Sequence, residues 1–255
     1  MKNKILLIIS ALLLTVSCEE YLEEKPLDRL TSESFYSNDI NLDQATYGIY
    51  STVLYYWRDT RGAGNNIYTM SEVRSDDITL PTDGTQYSNL YIFESYNYNA
   101  SHNNIRDLWS AMYQGISRAN VLIERVTPIV PGTGVSETKK NTVLAEAFAL
   151  RAYFYYQLVR YFGDVPLLTS SIKSKNDENI FPSREKVSKV YDQIIIDLKT
   201  AIGEGNDPNV KLPISTGSTN SARLSLGAVY GLIAEVYLTT KDFTNAALYA
   251  KKQLT

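Results

Sequence analysis

Residues 142–162 most narrow what this chain can become, because apolar or small side chains occupy nearly every face of the segment. Leu144, Ala145, Ala147, Phe148, Ala149, Leu150, Ala152, Tyr153, Phe154, Tyr155, Tyr156, Leu158 and Val159 leave little room for a solvated stripe. A helix of that composition must be packed on more than one side. Gly163 ends it and Pro166 prevents its resumption. The rest of the domain has to be arranged around it.

Its neighbours read as amphipathic helices. In 104–126, Ile105, Trp109, Met112, Tyr113, Ile116, Asn120 and Ile123 recur with the 3.6-residue period, and Asn120 on that stripe requires a buried partner. Pro128, Pro131, Gly132 and Gly134 end the element. Residues 31–57 form a first helical region, with Ser32 and Ser34 as caps and Leu42, Ala45, Ile49 and Val53 in register. Further helices are expected over 184–202, with Ser183 as N-cap, over 222–239 and over 243–254. Residues 58–103 are turn-rich without a sustained period, 173–179 are polar, and 203–219 carry Gly205 to Asn209. Alternation typical of strands never extends beyond a few residues. The expectation is an all-α fold with long irregular loops, large enough at 255 residues to bury a substantial core.

The N-terminus carries a separate message. Lys2 and Lys4 precede an apolar run from Ile5 to Val16, interrupted by Ser10 and Thr15. Twelve helical residues reach about 18 Å, short of the roughly 30 Å hydrocarbon layer of a bilayer. Residues 1–17 therefore read as a signal peptide. Cys18, the only cysteine, excludes an internal disulfide and any CxxC metal or redox site. Its position after Leu14-Thr15-Val16-Ser17 resembles a bacterial lipobox, which implies lipidation of Cys18 as the mature N-terminus; Thr15 is more polar than the usual pattern. Residues 18–30, with Glu19, Glu20, Glu23 and Glu24, read as an acidic tether, and such acids after the cysteine resemble the surface-export signal of Bacteroidota lipoproteins.

The helices also pair by chemistry. Residues 226–254, with Ala234, Tyr237, Leu238, Asp242-Phe243 and Ala246-Ala247, resemble a tetratricopeptide unit, in which small residues lie where helices touch. Such a unit needs stacked neighbours to close its core. One reading is thus a tetratricopeptide-like scaffold with protein partners only.

A more specific resemblance runs along the whole chain. Leu108-Trp109 through Arg118-Ala119-Asn120, then Ala145-Glu146-Ala147 through Tyr153-Phe154-Tyr155, then Leu158 through Gly163-Asp164-Val165-Pro166-Leu167, resemble the SusD/RagB family of starch-utilisation-type lipoproteins. Pro182-Ser183-Arg184-Glu185-Lys186-Val187, Asp197-Leu198, Arg223-Leu224 and Ala234 to Leu238 continue the match in the family's order. The resemblance implies tetratricopeptide-like hairpins packed as a superhelix over residues 31–255. It implies a surface-exposed outer-membrane lipoprotein, lipid-anchored with palmitate, that binds oligosaccharides or other nutrients. These it would deliver to a TonB-dependent, SusC-like transporter. Members are typically longer, so a C-terminal part is expected to be missing here.

For chemistry, the sequence offers little beyond binding. The pairs Asp76-Asp77 and Asp177-Glu178 lie in polar loops, and the single His102, read as a cap, allows neither a two-histidine metal site nor a redundant catalytic triad. There is no GxGxxG or GxxxxGK nucleotide loop and no basic stripe for nucleic acid, and the net charge is −3. No catalytic residue, metal or cofactor is expected. Twenty tyrosines against seven phenylalanines and two tryptophans do stand out. Sugar rings stack C–H faces on aromatic rings and pair their hydroxyls with amides and guanidinium groups. The stretch 86–99 combines both types in what reads as a loop, so Tyr87, Tyr91, Tyr96, Asn97, Tyr98 and Asn99, with Trp57 nearby in sequence, are the expected ligand residues. Trp109 is assigned to the core. For the anchor, palmitate labelling should tag the wild-type chain in membrane fractions and be lost in Cys18→Ala; an unlabelled wild type would remove the anchor.

Overall fold

A computed structural model describes residues 35–57, 71–79, 88–132, 134–177, 180–216 and 222–254, without the side chains of 54–57 and 88–90. The chain divides into Met1–Phe35, of which only Phe35 is described, and Tyr36–Thr255. Trp57 and Tyr87 are affected: the Trp57 side chain and all of Tyr87 lie outside the described residues, as do Cys18, the tether and the caps expected at Ser32 and Ser34.

Seven helices carry the second unit among the described residues: α1 (Asp39–Trp57), α2 (Ser88–Glu94), α3 (Asn103–Val126), α4 (Glu137–Phe162), α5 (Val187–Ala201), α6 (Leu226–Thr239) and α7 (Phe243–Gln253). Two-residue strands, β1 (Val165–Pro166) and β2 (Arg184–Glu185), pair antiparallel. As its composition requires, α4 is the central post. It packs against α3, α1 and α5, and α6 and α7 form a further hairpin beside α5. Val143, Ala147, Leu150, Phe154, Tyr155 and Leu158 of α4 are all buried. The fold is all-α, built of tetratricopeptide-like hairpins. No helix among the described residues is long and apolar enough to cross a membrane.

Close helix contact is made possible by Gly115, since a Cβ there would overlap the Phe154 ring of α4. Helix starts obey local chemistry. His102 Nδ1 accepts from Asn104 N at 3.2 Å, Ser136 Oγ from Lys139 N at 3.2 Å, and Asp242 Oδ1 from Asn245 N at 3.1 Å. At the other end of α4, Gly163 adopts φ 68°.

The region expected to be helical from 31 has its helix α1 from Asp39, and α6 begins at Leu226 rather than 222 because Ser225 caps it by accepting from Ala228 N; two further starts differ from expectation for physical reasons. First, α4 begins at Glu137 rather than 142, because Ser136 supplies a cap and the polar first turn is held by Lys139 Nζ on Asp43 Oδ2 at 2.7 Å. Second, α5 begins at Val187 rather than 184, because Arg184 and Glu185 are taken by the strand pair with β1. The cap is then not Ser183. Asp164 Oδ1, from the far side of the turn, accepts from Val187 N at 2.9 Å.

A buried polar network locks α3, α4 and α5 together. Arg151 donates through Nε and Nη2 to the two carboxylate oxygens of Asp197, each at 2.7 Å, and through Nη1 to Asn120 Oδ1 at 2.8 Å. Asn120 Nδ2 donates to the carbonyls of Leu168 and Ser170, both at 3.0 Å, so its expected buried partners are present. Arg151 also reaches the Thr169 carbonyl at 3.1 Å, and Gln193 braces Asp197 at 2.8 Å. The two charged side chains are 5% and 1% exposed, so neither can turn to water for compensation. Removing one member strands the other's charge, a loss of about 3–5 kcal/mol. Asp197→Ala should therefore lower the urea midpoint by that equivalent; a midpoint within error of wild type would show that the pair is not structural.

Candidate functional site

The tyrosine- and asparagine-rich stretch is not the continuous loop that its sequence suggested. Ser88–Glu94 form the helix α2, and among the described residues the segment beyond Glu94 is irregular. Among the side chains described on α2, Phe93 is fully buried and Tyr91 is exposed, too few positions to announce a helical period.

The exit from α2 determines the geometry. Asn97 N donates to Ile92 O at 2.9 Å and Tyr96 N to Phe93 O at 3.2 Å, the paired bonds of a Schellman-type helix end. Tyr96 therefore occupies the position where glycine is usual, and its φ is 55°. An L-residue in that region carries roughly 1–2 kcal/mol of strain. Such strain is maintained only where surrounding contacts over-determine it. Here the Tyr96 hydroxyl donates to the carbonyl of Arg74, in the short 3-10 turn Glu72–Arg74.

Around that bond the rings form a ladder. The Arg74 guanidinium lies between two tyrosines, 5.7 Å from the Tyr96 ring centre and 5.4 Å from that of Tyr98. Tyr98 in turn stacks on Phe93 at 4.9 Å and 25°, and Phe93 meets His102 edge-on at 4.7 Å. Burial lowers the His102 pKa, which favours the neutral imidazole that its capping bond requires. Arg74 Nε is buried without a hydrogen-bond partner, and no carboxylate pairs with the guanidinium among the described residues. Tyr96, by contrast, is 62% exposed. The result is a rigid platform, with one aromatic face toward solvent and a guanidinium behind it.

The other expected residues fall around this platform. Tyr91 is exposed on α2, and Asn97 and Asn99 are exposed beyond it. Asn99 uses its Oδ1 to accept from Ser101 N at 2.9 Å, which leaves its amide N–H donors directed away from that turn bond. Trp109 is half-buried, edge-on to Phe162 at 5.0 Å and tilted on Tyr113 at 4.9 Å, so it belongs to the helix packing. Asp76 and Asp77 are exposed. Among the described residues, no cluster of three or more His, Cys, Asp or Glu could hold a metal.

Arg74 is the residue that sequence reasoning missed. It lies in a segment read as turn chemistry, 22 residues before Tyr96, and no local pattern announces the contact. Between Ser71 and Thr79 it is opposed in charge by Glu72, Asp76 and Asp77, so the platform does not offer a net positive field.

Comparison with known proteins places the chain in a family. The SusD-like pattern described as "Starch-binding associating with outer membrane" matches residues 20–238. A SusD-like protein of Bacteroides ovatus is 27% identical over 246 residues, which cover 96% of this chain and 41% of that protein. The crystal structure of a SusD-like protein from Bacteroides fragilis superposes with a TM-score of 0.70 at 25% identity, over 90% of this chain and 40% of that one. A laminarin binding SusD-like protein gives a TM-score of 0.70 at 26% identity, covering 84% and 43%. The chain thus spans 40–43% of the length of these relatives. With the family pattern running through most of its sequence and the same helical fold in its relatives, this chain belongs to the SusD-like family.

Proposed function

We propose that the protein is a lipid-anchored, surface-exposed glycan-binding protein that delivers its ligand to a TonB-dependent, SusC-like transporter. The observation that carries this reading is the platform itself, an exposed tyrosine kept in a strained backbone conformation over a guanidinium. The hydroxyl bond to Arg74 and the guanidinium at the ring hold that conformation in place, and a stacking surface gives the exposed part of the ring a use. A sugar ring would lie on Tyr96, with Tyr98, Tyr91, Asn97 and Asn99 beside it, and the Arg74 guanidinium would back the stacking ring from the other side. Trp57 and Tyr87 are further candidates for the same ligand. The family match and the laminarin binding of one relative support the ligand class.

The chemistry favours holding over breaking bonds. A glycosidase needs two carboxyl groups flanking the scissile bond at defined separation. The acids of this segment, Glu72, Asp76 and Asp77, are all exposed, and the latter two are sequence neighbours. The anchor on Cys18 and the passage to a transporter would put the platform at the outer face of the outer membrane.

Calorimetry with starch, laminarin and other oligosaccharides is the direct test. Tyr96→Ala and Tyr98→Ala should each weaken binding by about tenfold, the equivalent of one lost ring contact. Binding untouched by both changes would remove the platform from the ligand site. Cross-linked purification of the transporter with the wild-type chain tests delivery, and its absence would leave a free-standing binder. The strain has its own readout: Tyr96→Gly should be more stable than Tyr96→Ala by about 1 kcal/mol in urea. An alanine variant as stable as the glycine one would show the position to be unstrained.

A further inference from the structure

Three carboxylates stand near the Tyr96 ring with one guanidinium against them. Glu72, Asp76 and Asp77 are exposed, and no cation pairs with any of the three among the described residues. Arg74 is the one basic residue between Ser71 and Thr79, so one positive against three negative side chains leaves that segment at −2. We infer that the platform is selective for uncharged glycans, and that Asp76 and Asp77, with Glu72, set this selectivity by repelling sugars that bear carboxylate or sulfate. This selectivity rests on the reading of Tyr96 as a stacking surface for glycans.

Chain connectivity fixes how near the charges must be. Successive Cα atoms are about 3.8 Å apart, so those of Glu72 and Asp76 lie within about 7.6 Å of the Arg74 Cα, and that of Asp77 within about 11.4 Å. The Tyr96 hydroxyl bonds to the Arg74 carbonyl, in the middle of this group. The backbone that bears the acids is also tied down. Val73 is fully buried, Ser75 N and Oγ both donate to the Glu72 carbonyl, at 2.9 and 2.7 Å, and Asp77 N donates to Ser75 Oγ at 3.3 Å. A Coulomb field acts through space, so nearness is sufficient and no particular side-chain direction is required.

The guanidinium does not reverse the sign. It lies 5.7 Å from the Tyr96 ring centre and 5.4 Å from that of Tyr98, where it cancels one of the three negative charges. Two remain. At about 10 Å in a water-like dielectric, they weaken the binding of one anionic substituent by about threefold to tenfold. A neutral pyranose does not feel this field, and its C–H face still stacks on the ring. Salt separates the two effects. The Debye length falls from about 30 Å at 0.01 M to about 3 Å at 1 M, which removes the repulsion and leaves the stacking.

Calorimetry on the full chain tests this with starch and laminarin beside their lightly carboxymethylated derivatives, which carry carboxylates on the same backbones. At about 0.01 M salt a derivative should bind about threefold to tenfold more weakly than its parent, and at about 1 M salt the two should be alike. Asp76→Asn combined with Asp77→Asn should abolish most of the low-salt difference and keep binding of the parent, whereas Tyr96→Ala should weaken parent and derivative alike. A derivative bound as tightly as its parent at low salt would overturn the selectivity and leave the platform standing. A difference that persists at high salt, or in the double asparagine variant, would trace to crowding by the substituent and overturn it equally. Binding of neither parent would remove the glycan reading itself, and the selectivity with it.

Discussion

The pairing of Arg151 with Asp197 is the constraint on which the rest of the structure depends. Two opposite charges are taken almost wholly out of water, and each is tolerable only because the other is in place. The pair joins the central helix α4 to α5, and Asn120 extends it to α3 and to the carbonyls of Leu168 and Ser170. Apolar contact is non-directional and sets register less sharply than paired polar groups do. A network in which both Asp197 carboxylate oxygens and both ends of the Asn120 amide are bonded favours a single register. That same network secures the irregular segment after β1, so the order of one loop is a product of the packing of three helices.

A second polar cluster performs the analogous task on the opposite flank. Burial acts against the charge on Arg223, yet the hydrogen bonds and charge of Glu146, then those of Asp43, raise its pKa. Burial would likewise push Asp43 up, and the hydrogen bonds from Lys139 and Arg223 outweigh it and leave the carboxyl low. The Tyr50 phenol, desolvated and beside the Glu146 carboxylate, is pushed up and stays protonated. These groups join α1, α4 and the entry to α6. Each flank of α4 thus carries one ionic lock, and the contacts between the locks are largely apolar.

Much of this fold was legible in the residues, and where it was not, a physical reason is visible. The apolar circumference of 142–162, the stripe that carries Asn120 and the stop at Gly163 identified the post, its neighbour and a buried amide in need of partners. Helix starts were less legible, because a cap can come from outside the local sequence, as Asp164 does for α5. The short helix α2 was hidden because seven residues cannot establish a period when their neighbours are tyrosine and asparagine. In the candidate site, the aromatic residues announced themselves by density. Arg74 did not, since its place between Tyr96 and Tyr98 is created by a tertiary contact and by a backbone angle that no side-chain pattern encodes. The family resemblance predicted the architecture correctly and said nothing about these particular rings.

The contact between Gly115 and the Phe154 ring has a consequence for how the family can vary. With no room for even one methyl group, the two positions are a single unit of change. A larger residue on α3 demands a smaller one on α4, and a larger residue on α3 alone would force the helices apart along their length. Paired drift at these two sites, rather than independent drift, is the signature that such an interface would leave among distant cousins of this chain.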